Sequence, residues 1–369
     1  MFSNEIAENL KEYQPGSIVK VFDRNGNFYG VGYINPHSLI SVRLLTRRDE
    51  LIDADFFRKR LARAYGYRKR VPGDQQSYRL VHSEGDLLPG LIIDVYERVI
   101  VVQCLTYGME CLLDLIVQVI DDMFKPEVIV LRNDSPARRL EGLGLYKKVI
   151  KGDLSKPLLI EDSGIKTEID PIEGQKTGGF LDQRFNRVAF ASLVEEGAIG
   201  LDLFCYNGAW GFHALKRASK VTFVDESQRA IDSAKRILSL NDLKGTAHFV
   251  RADVFVFLKG CADSPKRYDF IVLDPPAFAK SKTHIKEAMR AYRELNSMAI
   301  SLLKPGGLLA TSSCSHHINK GMFMEVIAKA ASGRRLRIVE QRTQAADHPI
   351  LINVPETEYL KCLFLEVFD

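Results

Sequence analysis

No stretch of this 369-residue chain approaches the roughly 18 consecutive apolar residues that a membrane helix needs, which argues against a helical membrane protein. The opening Met1-Phe2-Ser3-Asn4-Glu5 has neither a basic nor an apolar leader region, so no signal peptide is expected. The six cysteines (Cys104, Cys111, Cys205, Cys261, Cys314 and Cys362) include no C-x-x-C pair and no framework spacing. That favours reduced thiols in the cytoplasm over disulfides, and no metal site is expected. The glycine fingerprint G-x-G-x-x-G is missing from the loop where a dinucleotide would need it, which weakens a nicotinamide dehydrogenase. A strong net charge is also lacking: the balance is +4. What remains, 46% hydrophobic and 27% charged, is the composition of a soluble globular protein, and the length suits two or three domains.

The small positive excess is concentrated. Residues 1–74 carry 13 Lys/Arg against 9 Asp/Glu, most densely from Arg43 to Arg70. Such a patch suits a phosphate backbone, and equally suits a solvated helix face. Residues 16–46 read as three short strands, with Asn25-Gly26 at a hairpin tip. Asp53 caps a helix to about Tyr67, stopped by Pro72-Gly73. From Tyr78 to about Pro171 the pattern is α+β: strands at 78–82, 91–96 and 99–105, a helix at 109–124, a strand at 127–132 and a hairpin at 158–169. From Ile199 strands and helices alternate: strands at 199–204, 221–225, 247–250, 269–274 and 307–313, helices at about 210–218, 227–240, 285–303 and 320–331. This alternation predicts an α/β, doubly wound parallel sheet.

The chemistry concentrates at the ends of those strands. Ile271-Val272-Leu273-Asp274-Pro275-Pro276-Ala277-Phe278 is a buried strand halted by two prolines. It sets Asp274 where open α/β sheets bind ligands. Upstream, Asp202-Leu203-Phe204-Cys205-Tyr206-Asn207-Gly208 runs from a strand into a loop whose glycine admits close approach of a ligand. Asp225 ends the next strand, placed for the two hydroxyls of a ribose, and Asp253 follows the third, placed for an adenine amino group. Any one of these acids is readily a turn residue or a helix cap. Four at successive strand ends converge on one crevice.

This series of acids with Asp274-Pro275-Pro276-Ala277-Phe278 resembles the class I S-adenosylmethionine-dependent methyltransferases. Gly179-Phe180-Leu181-Asp182-Gln183-Arg184, Asp202 to Gly208, Ser312-Ser313-Cys314-Ser315 and Ala346-Asp347-His348-Pro349 narrow the likeness to the bacterial 23S rRNA cytosine-5 methyltransferases of the RlmI type, over nearly the whole chain. The resemblance implies a PUA RNA-binding module with its basic linker helix over 1–72, a strand-strand-helix-strand-strand central domain over 73–175 and a Rossmann-like methyltransferase domain over 176–369. The chain enters partway into the family's PUA pattern, so that module is expected to be N-terminally incomplete.

S-adenosyl-L-methionine is the implied cofactor, held by Asp202, Phe204, Tyr206, Asn207, Gly208, Asp225 and Asp253, with Asp182 and Arg184 closing over it by resemblance alone. The resemblance makes Cys314 the nucleophile; read without it, a small buried cysteine is the simpler account. Asp274 would face the N3 edge of a cytosine, with Pro275, Pro276 and Phe278 against the extruded base. Lys280 and Lys282, with Lys286, Arg290 and Arg293 behind them, would hold the RNA backbone unless they are merely a solvated loop and helix face. The implied partner is large-subunit 23S rRNA, with no membrane, and a homodimer is an admissible assembly. Two other readings stay open: N-methylation of an exocyclic amino group, with Cys314 passive, and a non-catalytic RNA-binding assembly factor with a relic pocket.

Overall fold

The computed structural model describes residues 1–72, 76–262, 265–279 and 281–369, and of Lys282 only the backbone. Two compact units emerge. The first comprises Met1–Ile160, Ile169–Asp182 and Ala346–Thr357; the second comprises Glu161–Glu168, Gln183–Ala345 and Glu358–Asp369. No helix among the described residues is long and apolar enough to cross a membrane.

In the first unit, β1 (Ile18–Phe22), β2 (Phe28–Ile34) and β3 (Val42–Thr46) make an antiparallel sheet. Asp53 caps α1 (Ala54–Arg68) by accepting from Phe56 N at 3.0 Å. Phe57, Leu61, Ala64 and Arg68 repeat at helical spacing on its buried face. Arg68 therefore leaves the basic surface. Its guanidinium grips Asp86 with two nitrogens and donates to the carbonyl of Arg79 at 2.7 Å. Arg43 is likewise spent on Glu141 (3.0 Å), and Arg60 donates to the carbonyl of Leu45 (2.6 Å). The expected phosphate-binding patch is thus thinner than its composition suggests, because buried carboxylates and carbonyls in the same unit take several of its cations.

A five-stranded sheet follows, in the order β4 (Ser77–His82), β5 (Leu91–Tyr96), β6 (Val99–Cys104), β7 (Val128–Asn133) and β8 (Tyr146–Lys151). Only β6 and β7 are parallel, because the helices α2 (Tyr107–Cys111) and α3 (Leu113–Phe124) form the crossover between them. The last strand, β8, is not expected from the sequence, where Tyr146–Lys151 falls within a polar loop; three of its six residues are lysines. A hairpin of β9 (Leu158–Asp162) and β10 (Ile165–Ile169) marks the division between the units.

One buried ion pair anchors the five-stranded sheet. Asp94 on β5 is fully buried and accepts from Arg79 Nε and Nη2, both at 2.8 Å, and from the Thr177 hydroxyl. Removing one partner strands the other charge away from water. Asp94→Ala is therefore expected to cost about 3–5 kcal/mol in urea unfolding. A loss below about 1 kcal/mol would show that the pair behaves like a surface one.

The second unit opens with α4 (Arg184–Leu193) and builds a seven-stranded sheet. Its strands are β11 (Ile199–Leu203), β12 (Lys220–Asp225), β13 (Thr246–Arg251), β14 (Tyr268–Leu273), β15 (Leu303–Ser313), β16 (Leu336–Arg342) and β17 (Lys361–Val367). The helices between them are α5 (Ala209–Ala214), α6 (Gln228–Ser239), α7 (Val254–Cys261), α8 (Ile285–Ser301) and α9 (Lys320–Ala330). The spatial order is β13-β12-β11-β14-β15-β17-β16. The first five strands are parallel, and β17 enters antiparallel between β15 and β16. The sheet is thus the expected α/β doubly wound one with an antiparallel extension. From β11 the chain winds outward through β12 and β13, then crosses back to β14 on the other side. The switch point therefore lies between β11 and β14, and a crevice opens there at the carboxyl ends.

Candidate active site

The loop after β11 turns sharply. Phe204 (φ 59°), Tyr206 (φ 49°) and Gly208 (φ 82°) all lie in the left-handed region. At Gly208 a side chain would also strike the Phe212 ring, at 2.6 Å from an added Cβ. Backbone held this way at a strand end is typical of a ligand-binding loop. Cys205 within it is buried and reads as structural, while Phe204, Tyr206 and Asn207 are half-buried.

The acids come together unequally. Asp202, on β11, is fully buried; its Oδ2 accepts from Gly211 N at 2.8 Å, and its Oδ1 has no hydrogen-bond partner among the described residues. Burial pushes its carboxyl up to about 7, and the charges of Asp274 and Asp225 push the same way against the Gly211 N–H. Asp225, at the end of β12, accepts from Tyr206 N and Ser227 N, one on each oxygen, both at 2.9 Å. A carboxylate has about four lone-pair sites, so both oxygens keep capacity for a diol. Asp253 is exposed and caps α7, accepting from Val256 N at 2.9 Å. The donor and acceptor chemistry of this rim fits a nucleoside with a free ribose.

Asp202 yields a pH prediction. Its proton is retained in the fold up to about 7 but is lost near 3.8 in an unfolded chain. Between those values the native state binds the extra proton, so this group's contribution to stability falls as pH rises. Asp202→Asn keeps an acceptor for Gly211 and removes the charge. The melting temperature of the variant relative to the parent should therefore climb from about pH 4 to pH 7. A flat difference across that range would refute the raised carboxyl.

Asp274 lies one residue beyond β14. Gln183 Nε2 donates to its Oδ1 and Trp210 Nε1 to its Oδ2, each at 3.0 Å. The amide of Gln183 is itself oriented: its Oε1 accepts from Asn186 Nδ2 at 2.7 Å, and its Nε2 also donates to Ser312 Oγ at 3.1 Å. The carboxylate is thus fixed in plane by two donors from two different helices' ends. Sequence reasoning assigned no role to Gln183 or Trp210. The signal was slight: Trp210 is the chain's single tryptophan, one helical turn before His213 and two residues beyond Gly208.

The Pro-Pro corner divides its roles. Pro275 is buried and Pro276 exposed. Phe278 turns inward onto Tyr292, ring centres 4.8 Å apart, with Phe255 and Phe204 at 6.4 and 6.5 Å. The Tyr292 hydroxyl accepts from Ser313 Oγ at 3.0 Å and bonds Ser315 Oγ at 3.1 Å. Ser315 Oγ in turn accepts from Ala279 N at 3.3 Å. Hence the segment after β14 and the segment after β15 are sewn together, and Cys314 sits between two fully buried serines while itself remaining half-buried.

Arg184 is buried and pairs with Asp162 at 3.0 Å. Asp182 belongs to the first unit, where Lys176 approaches it at 3.3 Å. Lys280 and the side chain of Lys282 fall outside the described residues. Lys286, Arg290 and Arg293 line one exposed stripe of α8, opposite its buried Ala288, Tyr292 and Leu295.

Comparison with known proteins agrees with this fold. Residues 1–47 match the PUA-like domain family, and residues 182–340 match the family described as Conserved hypothetical protein 95. SMU.776, described as a methyltransferase and solved in complex with SAH, superposes with a TM-score of 0.85 at 22% identity, covering 96% of this chain and 92% of that one. A SAM-dependent methyltransferase fold from Streptococcus mutans gives 0.83 at 21% identity, over 96% and 92% of the two chains. At that identity the likeness speaks for the fold: a Rossmann-like methyltransferase sheet preceded by a β-rich PUA-like module and an α+β block. Ribosomal RNA large subunit methyltransferase I of Shewanella denitrificans is 39% identical over 377 residues, covering 100% of this chain and 95% of its own. Its counterpart in Shewanella amazonensis is 40% identical over 361 residues, covering 96% and 91%. The chain belongs to the ribosomal RNA large subunit methyltransferase I family.

Proposed function

We propose that this protein forms 5-methylcytosine in 23S rRNA through a covalent adduct between Cys314 and carbon 6 of the base. At the coarser level it is an S-adenosylmethionine-dependent methyltransferase of large-subunit ribosomal RNA. The cofactor supplies an electrophilic sulfonium methyl. Asp225 would hold its ribose diol, the 204–208 loop its backbone side, and Asp253 its adenine edge.

Carbon 5 of cytosine is a weak nucleophile. Addition of the Cys314 thiolate to carbon 6 places electron density on carbon 5, which then takes the methyl group and releases S-adenosylhomocysteine. The carbon 5 proton leaves to a base or water, the S–C6 bond breaks, and the thiolate returns. Asp274 would accept from the N4 amino group or serve a protonated N3 while the adduct persists. Exposed Pro276 would border the extruded base, and Lys286, Arg290 and Arg293, continuing the expected stripe of Lys280 and Lys282, would meet RNA phosphates.

The observation that carries this reading is the hydrogen-bonded seam joining Ala279 to Ser315. It ties the segment that follows Asp274 to the residue after Cys314, which supports a shared role for the two, and Asp274 is held by Gln183 and Trp210. An amino-group methyltransferase would need Asp274 but would have no use for the cysteine. Mass-spectrometric mapping of 23S rRNA from cells with and without the gene tests the assignment. One 5-methylcytosine should vanish with the gene; an unchanged 5-methylcytosine pattern would refute it.

A further inference from the structure

The structure assigns Lys361 to Cys314: we infer that its buried ammonium is the cationic partner that holds this cysteine as a thiolate. This rests on the reading of Cys314 as nucleophile and adds a residue that acts through it. Lys361 opens β17, and its Cα is the ladder partner of Ser313, the last residue of β15. From there the side chain runs along the segment that carries Cys314. Its Nζ donates to the carbonyl of Ser315 at 2.8 Å and to that of Tyr359 at 2.8 Å. One lysine therefore spans both flanks of Cys314, with its backbone opposite the residue before and its amine on the residue after.

The lysine is nearly inaccessible, at 7% exposure. A buried ammonium is costly unless it serves a charge. Two of its three donors are spent on carbonyls, which carry no full charge. Burial lowers its amine to about 8, and the group that most opposes that fall is Cys314, ahead of Glu358. Other titratable groups lie on the elements packed around this segment. Tyr292 on α8 is pushed up by burial and feels Cys314 as a negative charge. Glu358 adds a smaller support to the ammonium than Cys314 does, and His316, on the cysteine's own loop, stacks on Tyr359 with ring centres 5.6 Å apart. His317 follows on the same loop, and Asp274 is linked to Ser312 through Gln183, which donates to both.

A cation beside a thiol raises its thiolate fraction at neutral pH, about tenfold for each unit by which the thiol's titration falls. Lys361 is thus a positioning residue: it need not touch RNA or cofactor.

The test is peptide-resolved alkylation of Cys314 by iodoacetamide as a function of pH, on the full chain without RNA or cofactor. The parent protein should titrate below the ordinary thiol value of about 8.5. Lys361→Met should raise the midpoint by at least about one unit and slow alkylation at pH 7 about tenfold. Lys361→Arg, which keeps the cation, should stay near the parent. Coincident midpoints in parent and Lys361→Met would overturn the inference. Were Lys361→Met not to fold, the parent alone decides: a midpoint at or above the ordinary thiol value overturns it, and a lower one supports it. Loss of methyl transfer on Cys314→Ala tests the nucleophile reading separately, since the midpoint does not depend on turnover.

Discussion

Replacing Cys314 by alanine is expected to reduce methyl transfer by about three orders of magnitude or more, with S-adenosylmethionine binding unchanged. The expectation is sharp because the substitution should be structurally mild. Ser313 and Ser315, on either side, are fully buried and anchored by Tyr292, the Ala279 amide and Lys361. Those bonds belong to the neighbours. Deleting one sulfur from the half-buried residue between them leaves every anchor in place. Activity is measured with tritiated cofactor and 23S rRNA, and binding by calorimetry. Full activity in Cys314→Ala would sink the covalent mechanism and favour methylation of an amino group. Loss of both activity and binding would indicate a pocket that had collapsed.

Asp274→Ala should cost about 10²–10⁴ in turnover and leave a different trace. Trp210 would lose its acceptor and Gln183 one of its two. Buried polar groups without partners cost roughly 1–3 kcal/mol each, so a lower melting temperature should accompany the lost rate. Asn is no remedy, since its amino group would face one of the two N–H donors. The substitution also removes a negative charge that helps raise Asp202. The titration of Asp202, followed by carboxyl infrared absorption, should therefore move down. Unaltered turnover in Asp274→Ala would remove the acid from the chemistry under either methylation reading.

What could be read from the sequence depended on whether its cause was local. The parallel strands were legible because buried apolar runs alternate with helical periodicity, and Asp274 because two prolines must halt a strand. The N-cap of α1 was legible because Asp53 precedes its periodic stretch. The antiparallel insertion of β17 was not predicted, although Cys362 to Leu365 is an apolar run: nothing local says that a last strand slips between two earlier ones. That placement matters, because it is what carries Lys361 to Cys314. The basic stretch is thinner than its composition suggests for the converse reason. Composition registers Arg43, Arg60 and Arg68 as surface charge, but their partners Glu141, Leu45 and Asp86 become neighbours only through folding. The same holds at the site itself. Asp274 and Cys314 carried motif signals, whereas Gln183, Trp210 and Tyr292, which orient them, are legible only in three dimensions.

The central claim is the covalent step at Cys314, and 5-fluorocytidine tests it most directly. Fluorine at carbon 5 cannot leave as the proton does, so an adduct that has taken its methyl group cannot release the enzyme. Substrate RNA carrying 5-fluorocytidine at the modified position, incubated with S-adenosylmethionine, should accumulate a protein–RNA species. After nuclease and protease digestion, mass spectrometry should place the methylated fluoropyrimidine on the Cys314 peptide. Turnover of ordinary RNA alongside no adduct with the fluorinated one, or an adduct on any other residue, would contradict the account.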